Sequence, residues 1–304
     1  MPRCPEVATG VLFSGQGAQR VGMGRECADS PILLECLAQA SDVLHLDLKK
    51  ICFDGPLEEL TRTDVCQVAL YAVGYGVFKT LEARELLPDV ACFAGLSLGE
   101  WTALAAAGAF AFEDGLPLIA MRGRLMDEAC RRAPGGMLSL IGGERREVFS
   151  LCEQTGLYPS NFNAPDQVVI SGPVAGIHAA MDLTKNFSFR RAIPINVAGA
   201  YHSPVMAEAQ RGLRPEVEKL VVCEPSVPVM SNVTGKPHEN AAAIRRFLVE
   251  QITAPVQWET CMQSAAVLGV SDFCECGSGK VLVGLVKKNI PGATAREAAE
   301  LLSA

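Results

Sequence analysis

Six elements packed into about seventy residues constrain this chain more than any other feature. The stretch PGGMLSLIGG reads as a strand and ERREVFSLCEQTG as a helix. LYPSNFN and QVVISG read as two strands joined by the polar turn APD, and the helix PVAGIHAAMDLTKN and the strand RRAIPINV follow. The order β-α-β-β-α-β is that of a ferredoxin-like unit. On either side of it, short apolar runs (GVLF, VACFAGL) alternate with helical patterns near 30–45, near 64–84 and from 99 onward. That alternation predicts a parallel sheet covered by helices. The expected fold is α/β: a large subdomain formed by 1–131 and 201–304, with a small ferredoxin-like subdomain inserted at 132–200. A cleft is expected where the two meet, the usual place for a small-molecule site.

The 304 residues suffice for such a domain with an insertion, and 49% hydrophobic with 20% charged residues fits a sizeable core. No apolar run reaches the ~18 residues of a membrane helix. The longest, VACFAGLSLGEWTALAAAGAF, carries Glu100 in its middle. The opening MPRCPEVATG has neither a signal core nor a transit-peptide pattern, so a soluble protein is expected, any targeting segment being absent from the chain. The twelve cysteines are scattered with no C-x-x-C pair, which predicts reduced, buried thiols in a reducing compartment, without a metal site or disulfide framework. A net charge of −7 argues against nucleic-acid binding.

Two loops carry the chemistry. In LFSGQGAQRVG the third glycine of a dinucleotide fingerprint is replaced by Arg20, and no Gly-Lys-Ser/Thr follows for a P-loop. What remains is a loop after a strand whose backbone N–H groups face open space and can hold an oxyanion. The second loop is Gly95-Leu96-Ser97-Leu98-Gly99, a G-x-S-x-G between an apolar run and an alanine-rich helix, as a nucleophile elbow requires. Ser97 is the candidate nucleophile, and the N–H groups of Leu98 and Gln16 are the candidate oxyanion donors. Of four histidines, His45 and His238 lie in polar or turn-like surroundings and His178 on a helix of the insertion. Position and elimination favour His202 as the base. No aspartate stands near it in sequence; a backbone carbonyl could fix the ring tautomer instead.

These residues together resemble the malonyl-CoA:acyl carrier protein transacylases of fatty-acid synthesis, plastid or bacterial type, over nearly the whole chain. The matching words are FSGQGAQ, TRTDVCQVALYAV, GLSLGE, GAFAFEDGL with MRGRLM, NFNAPDQVVISG, GAYHSPVM, VMSNVTGK, APVQW and GSGKVLVGLVKK. The resemblance implies a hydrolase-like core with a ferredoxin-like insertion, and ping-pong malonyl transfer from malonyl-CoA to acyl carrier protein. It carries the nucleophile to Ser97, the base to His202, the oxyanion amides to Gln16 and Leu98, and the carboxylate-gripping arginine to Arg122. It further implies that the Gln257 carbonyl orients the histidine and that Asn163 lies near the acyl pocket. No cofactor or metal is implied, the CoA thioester being substrate. A monomer is expected, with no nucleic-acid or membrane partner, in a plastid-type stroma or a bacterial cytoplasm.

The chain departs from the family pattern at Leu96 (usually histidine), Val68 and Ser278 (usually proline) and Tyr201 (commonly phenylalanine, at a position tied to extender choice in related acyltransferases). Carrier protein and CoA are both acidic, so a local basic patch is expected among Lys185, Arg190, Arg191, Lys287 and Lys288. The alternatives are a thioesterase or carboxylesterase of hydrolase type, which has no use for Arg122, a polyketide acyltransferase with another extender unit, and a non-catalytic carrier-binding module, which has no need of Ser97 or His202.

Overall fold

The strand β1 (Thr9–Phe13) is buried along its whole length, as a central strand covered on both faces must be. Val11 and Phe13 point into the larger apolar cluster and Leu12 into a second one, the alternation that the pleat imposes. The computed structural model describes residues 8–87, 89–197 and 199–303. After β1 the chain passes through helices Pro31–Leu44 and Thr63–Ala83 and returns as β2 (Val90–Gly95), parallel to β1. Helices Leu98–Ala106 and Phe112–Arg132 follow. Next come β3 (Gly135–Gly142), β4 (Tyr158–Ala164), β5 (Gln167–Pro173) and β6 (Phe189–Ile195), a separate antiparallel sheet. The chain then completes the first sheet with β7 (Asp272–Cys276) and β8 (Thr294–Glu297), giving the all-parallel order β2-β1-β7-β8.

The helix expected from residue 99 onward is in fact two helices. Gly108, at φ 76, turns the chain after Ala106, in a backbone conformation that glycine adopts without cost. Helix Thr63–Ala83 is buried on nearly every side, and its Gly76 lets the Leu33 backbone of helix Pro31–Leu44 come close. Phe13, Phe78 and Phe93 stack or meet edge to face on this side of the sheet, at centroid separations of 5.2 to 6.1 Å. Trp258 and Phe273 fill the opposite face.

The small sheet has the order β4-β5-β3-β6 and carries helices Arg145–Thr155 and Val174–Leu183. Leu138, Leu140, Val168 and Ile170 pack with helix residues Leu151 and Ile177. The alternate residues Met137, Ser139 and Val169 point the other way and line a cleft against the large sheet. Backbone bonds cross that junction: Phe162 N–H donates to the Val256 carbonyl (2.8 Å) and Val256 N–H to that of Ser160 (2.9 Å).

At the tip of β2 the following helix approaches to within bare backbone contact. A methyl group on Gly99 would stand 2.1 Å from the Phe13 carbonyl oxygen, and one on Gly95 would stand 1.9 Å from the Gly99 carbonyl carbon. Gly99→Ala is therefore expected to destabilise the fold by about 3 kcal/mol or more, read as a lowered urea midpoint.

Candidate active site

Ser97 sits between β2 and helix Leu98–Ala106 with φ 56 and ψ −108, a left-handed backbone that a serine adopts only when its surroundings impose it. Asn232 imposes it from a loop far away in sequence. Its Oδ1 accepts the Ser97 N–H (2.6 Å) while its Nδ2 donates to the Gly95 carbonyl (2.7 Å), so one buried amide bridges both sides of the turn. The hydroxyl is thereby raised at the helix N-terminus, where the partial positive charge favours an oxyanion.

The loop after β1 is pressed against this turn. Leu96 N–H donates to the Phe13 carbonyl (3.1 Å), and a methyl group on Gly15 would stand 2.3 Å from the Leu96 carbonyl oxygen. Gln16 and Leu98 are thus on adjoining loops at one end of the sheet, and among the described residues neither backbone N–H has a backbone acceptor. The Gln16 side chain is tied back through its Nε2 to the Tyr201 hydroxyl (3.3 Å) and Thr63 Oγ1 (3.4 Å). The Tyr201 hydroxyl also meets Thr63 Oγ1 at 3.0 Å, so this group is satisfied by the protein itself.

His202 enters where the chain returns from the small sheet, also left-handed at φ 56. Its Nε2 lies 2.9 Å from Ser97 Oγ and its Nδ1 lies 2.7 Å from the Gln251 carbonyl oxygen. A carbonyl only accepts, so Nδ1 carries the proton and Nε2 presents its lone pair to the serine hydroxyl. Burial, reinforced by the Arg122 charge, pushes the imidazole down to about 4, so it is a neutral base at pH 7.

The histidine's partner is therefore Gln251, not Gln257. Gln257 caps helix Trp258–Val267, its carbonyl accepting from Cys261 N–H (2.9 Å) and its own N–H donating to the Asn232 carbonyl (2.8 Å). The reason lies at Pro255. Helix Ala241–Glu250 ends just before Gln251, whose carbonyl would in a continued helix receive the N–H of residue 255. Proline has none, so the acceptor is left free for His202. That absence is legible in EQITAPVQW and would have identified the residue.

Arg122, from helix Phe112–Arg132, is 1% exposed. Its Nη1 donates to Gln67 Oε1 (2.5 Å), and its Nη2 to Gln251 Oε1 (3.0 Å) and Ser97 Oγ (3.1 Å). Its Nε has no partner, and among the described residues no carboxylate pairs with it. Burial pushes the guanidinium down to about 10, the Glu100 carboxylate acting in the opposite sense, so it remains a cation at neutral pH.

A cavity of about 260 Å³ opens above Ser97 between the two sheets. Gln16, His202, Asn163 and Tyr201 line it together with apolar side chains such as Met126 and Leu285. Asn163 is buried there with its Oδ1 unpartnered and its carbonyl accepting from Asn289 Nδ2 (2.8 Å). Of the basic residues, Arg190 and Lys288 both meet Asp166, and Lys288 Nζ also donates to Gln167 Oε1 (2.8 Å) on the rim of the cavity. Among the described residues no group of three or more His, Cys, Asp or Glu stands together as a metal site would require. No described helix is long and apolar enough to cross a membrane.

The arrangement can activate a serine and hold an oxyanion, with a buried cation in contact with the serine hydroxyl. Residues 11–300 match the family described as the acyl transferase domain. The malonyl CoA-acyl carrier protein transacylase of Salmonella typhimurium is 38% identical over 290 residues, 93% of each chain. The crystal structure of the malonyl-CoA:acyl carrier protein transacylase of Xanthomonas oryzae pv. oryzae superposes with a TM-score of 0.91 at 37% identity, covering 97% of this chain and 95% of that one. A type II polyketide acyl-carrier protein in complex with its malonyl-transacylase gives a TM-score of 0.92 at 33% identity, covering 97% and 98%.

The depressed imidazole has two consequences with one sign. Unfolded His202 takes a proton near 6.5 and the folded residue only near 4, so its contribution to stability is complete above 6.5 and is lost as pH falls through that window. Acyl loading from acetyl-CoA, which carries no carboxylate on the acyl group, is expected to stay level down to about pH 5. In Arg122→Ala the acid limb of this pH–rate profile should move up, because one of the two causes of the depression is removed.

Proposed function

The chain belongs to the acyl transferase domain family, and from that premise we propose that it transfers malonyl from malonyl-CoA to the phosphopantetheine thiol of acyl carrier protein through an ester on Ser97, supplying the extender unit of fatty-acid synthesis. The Ser97 hydroxyl gives its proton to His202 Nε2 as Oγ attacks the thioester carbonyl. The carbonyl π pair moves onto oxygen, where the N–H groups of Gln16 and Leu98 receive it. The pair returns, the C–S bond breaks, and the proton passes from His202 to the departing CoA sulfur. The carrier thiol then repeats the sequence in reverse sense: its proton goes to His202, its sulfur attacks the ester, and Ser97 leaves with the proton. The large subdomain of 1–131 and 201–304 supplies the reacting groups, and the small one of 132–200 walls the cleft.

One observation carries the substrate assignment: a buried guanidinium beside Ser97 whose partners are two amide oxygens and the nucleophile itself. A cation so placed is complementary to a carboxylate two bonds from the reacting carbonyl, as malonyl has and acetyl lacks. A thioesterase for plain acyl groups has no such requirement. The Tyr201 hydroxyl, beside the cavity, already has protein partners in Thr63 and Gln16.

Intact-protein mass spectrometry after brief mixing with malonyl-CoA should show a malonyl adduct that disappears in Ser97→Ala. Arg122→Ala should slow malonyl loading by about 10- to 100-fold while sparing acetyl. Equal loading by both thioesters in the wild type would overturn the malonyl assignment. For the carrier, Lys287 is the cleaner test, since Lys288 is engaged with Asp166 and Gln167 across the cleft rim. Lys287→Glu is expected to raise the Michaelis constant for carrier protein a few-fold and leave that for malonyl-CoA unchanged.

A further inference from the structure

One buried carboxylate touches none of the reacting groups yet is bonded to the residues that hold them. Glu100, on the first turn of helix Leu98–Ala106, has no exposed surface. Its Oε2 accepts the backbone N–H of Asn232 (3.2 Å) and the side-chain amide of Gln251, and its Oε1 lies 2.8 Å from Nε2 of the equally buried His238. From Asn232 the connection runs to the serine turn, through the Ser97 N–H and the Gly95 carbonyl. From Gln251 it runs to both other groups, through its backbone carbonyl to His202 and through its Oε1 to Arg122.

The Gln251 amide explains why a carboxylate is needed. Its NH2 is drawn to Glu100, which leaves its oxygen facing Arg122. Reversed, the amide would set donor against donor at the guanidinium and acceptor against acceptor at Glu100. We propose that Glu100, backed by His238, is the positioning residue that keeps the serine turn, the base and the carboxylate-binding guanidinium in one register, acting through Asn232 and Gln251. This rests on the reading of Ser97 as the acyl-accepting nucleophile. A buried polar pair that served stability alone would give a different result, because its replacement by apolar residues would return stability and rate together.

The test uses Glu100→Met, the double variant Glu100→Met with His238→Phe, and Glu100→Gln. Each is measured for thermal midpoint and for rate of loading from malonyl-CoA and acetyl-CoA. Glu100→Met should slow malonyl loading by about 10- to 100-fold and lower the preference for malonyl over acetyl by about tenfold. The double variant removes the stranded His238 ring nitrogen but still leaves the Asn232 N–H and the Gln251 amide without their acceptor, so it should regain only part of its thermal midpoint while keeping the whole kinetic defect. Glu100→Gln should restore most of the rate, its oxygen taking the same two donors and its NH2 donating to His238 Nε2 once the ring proton has moved to Nδ1. Kinetics that recover together with stability in the double variant would overturn the proposal, as would equal slowing of both thioesters. A fluorophosphonate probe separates this from failure of the functional reading, because it reports serine–histidine alignment whatever the natural acyl group. Slower labelling of Ser97 in Glu100→Met and in the double variant supports the proposal, and labelling at the wild-type rate counts against it.

Discussion

A positive charge that folding has removed from water, with no negative partner in contact among the described residues, is the constraint around which this molecule is arranged. Arg122 is almost wholly buried, and desolvating a guanidinium is costly unless its donors are met. Two glutamines and Ser97 meet the terminal nitrogens with neutral oxygens, the Nε–H is left unpartnered, and Glu100 supplies opposite charge through an intervening amide. The helix bearing Arg122, the buried helix bearing Gln67 and the loop bearing Gln251 must therefore meet at one place in the core. The apolar packing around that place excludes the water that would weaken the charge.

The same cation sets the state of the base. It acts with burial to hold His202 neutral, and the Gln251 carbonyl decides which nitrogen keeps the proton. An acidic third member would favour the imidazolium, whereas a carbonyl fixes the tautomer without adding a charge beside the guanidinium. The missing aspartate and the buried arginine are thus parts of one electrostatic arrangement.

Much of this was legible in the sequence where the determinants are local. The six elements of the small sheet follow from apolar runs and turns within a short stretch, and the glycines around Ser97 mark a turn that larger residues could not make. His202 emerged by elimination and stands 2.9 Å from the nucleophile. What stayed hidden depends on contacts more than a hundred residues apart in the chain. Asn232 reaching Ser97 and His238 reaching Glu100 leave no periodicity or spacing to read. Gln251 lay between these cases: resemblance alone pointed to Gln257, whereas the missing N–H of Pro255 marks the free carbonyl by backbone chemistry. The break after Ala106 was obscured because an alanine-rich run continues past the point where Gly108 turns it.

The seam at Val256 gives the short run from Gln251 onward an unusual mechanical position. At one end its carbonyl steadies the His202 imidazole, and at the other its backbone is stitched to the edge strand of the small sheet. A small sheet joined in this way cannot swing aside as a door without tearing the bonds beside the base. Any widening of the cleft at this seam would therefore be felt at the imidazole, through the few residues that separate Val256 from Gln251.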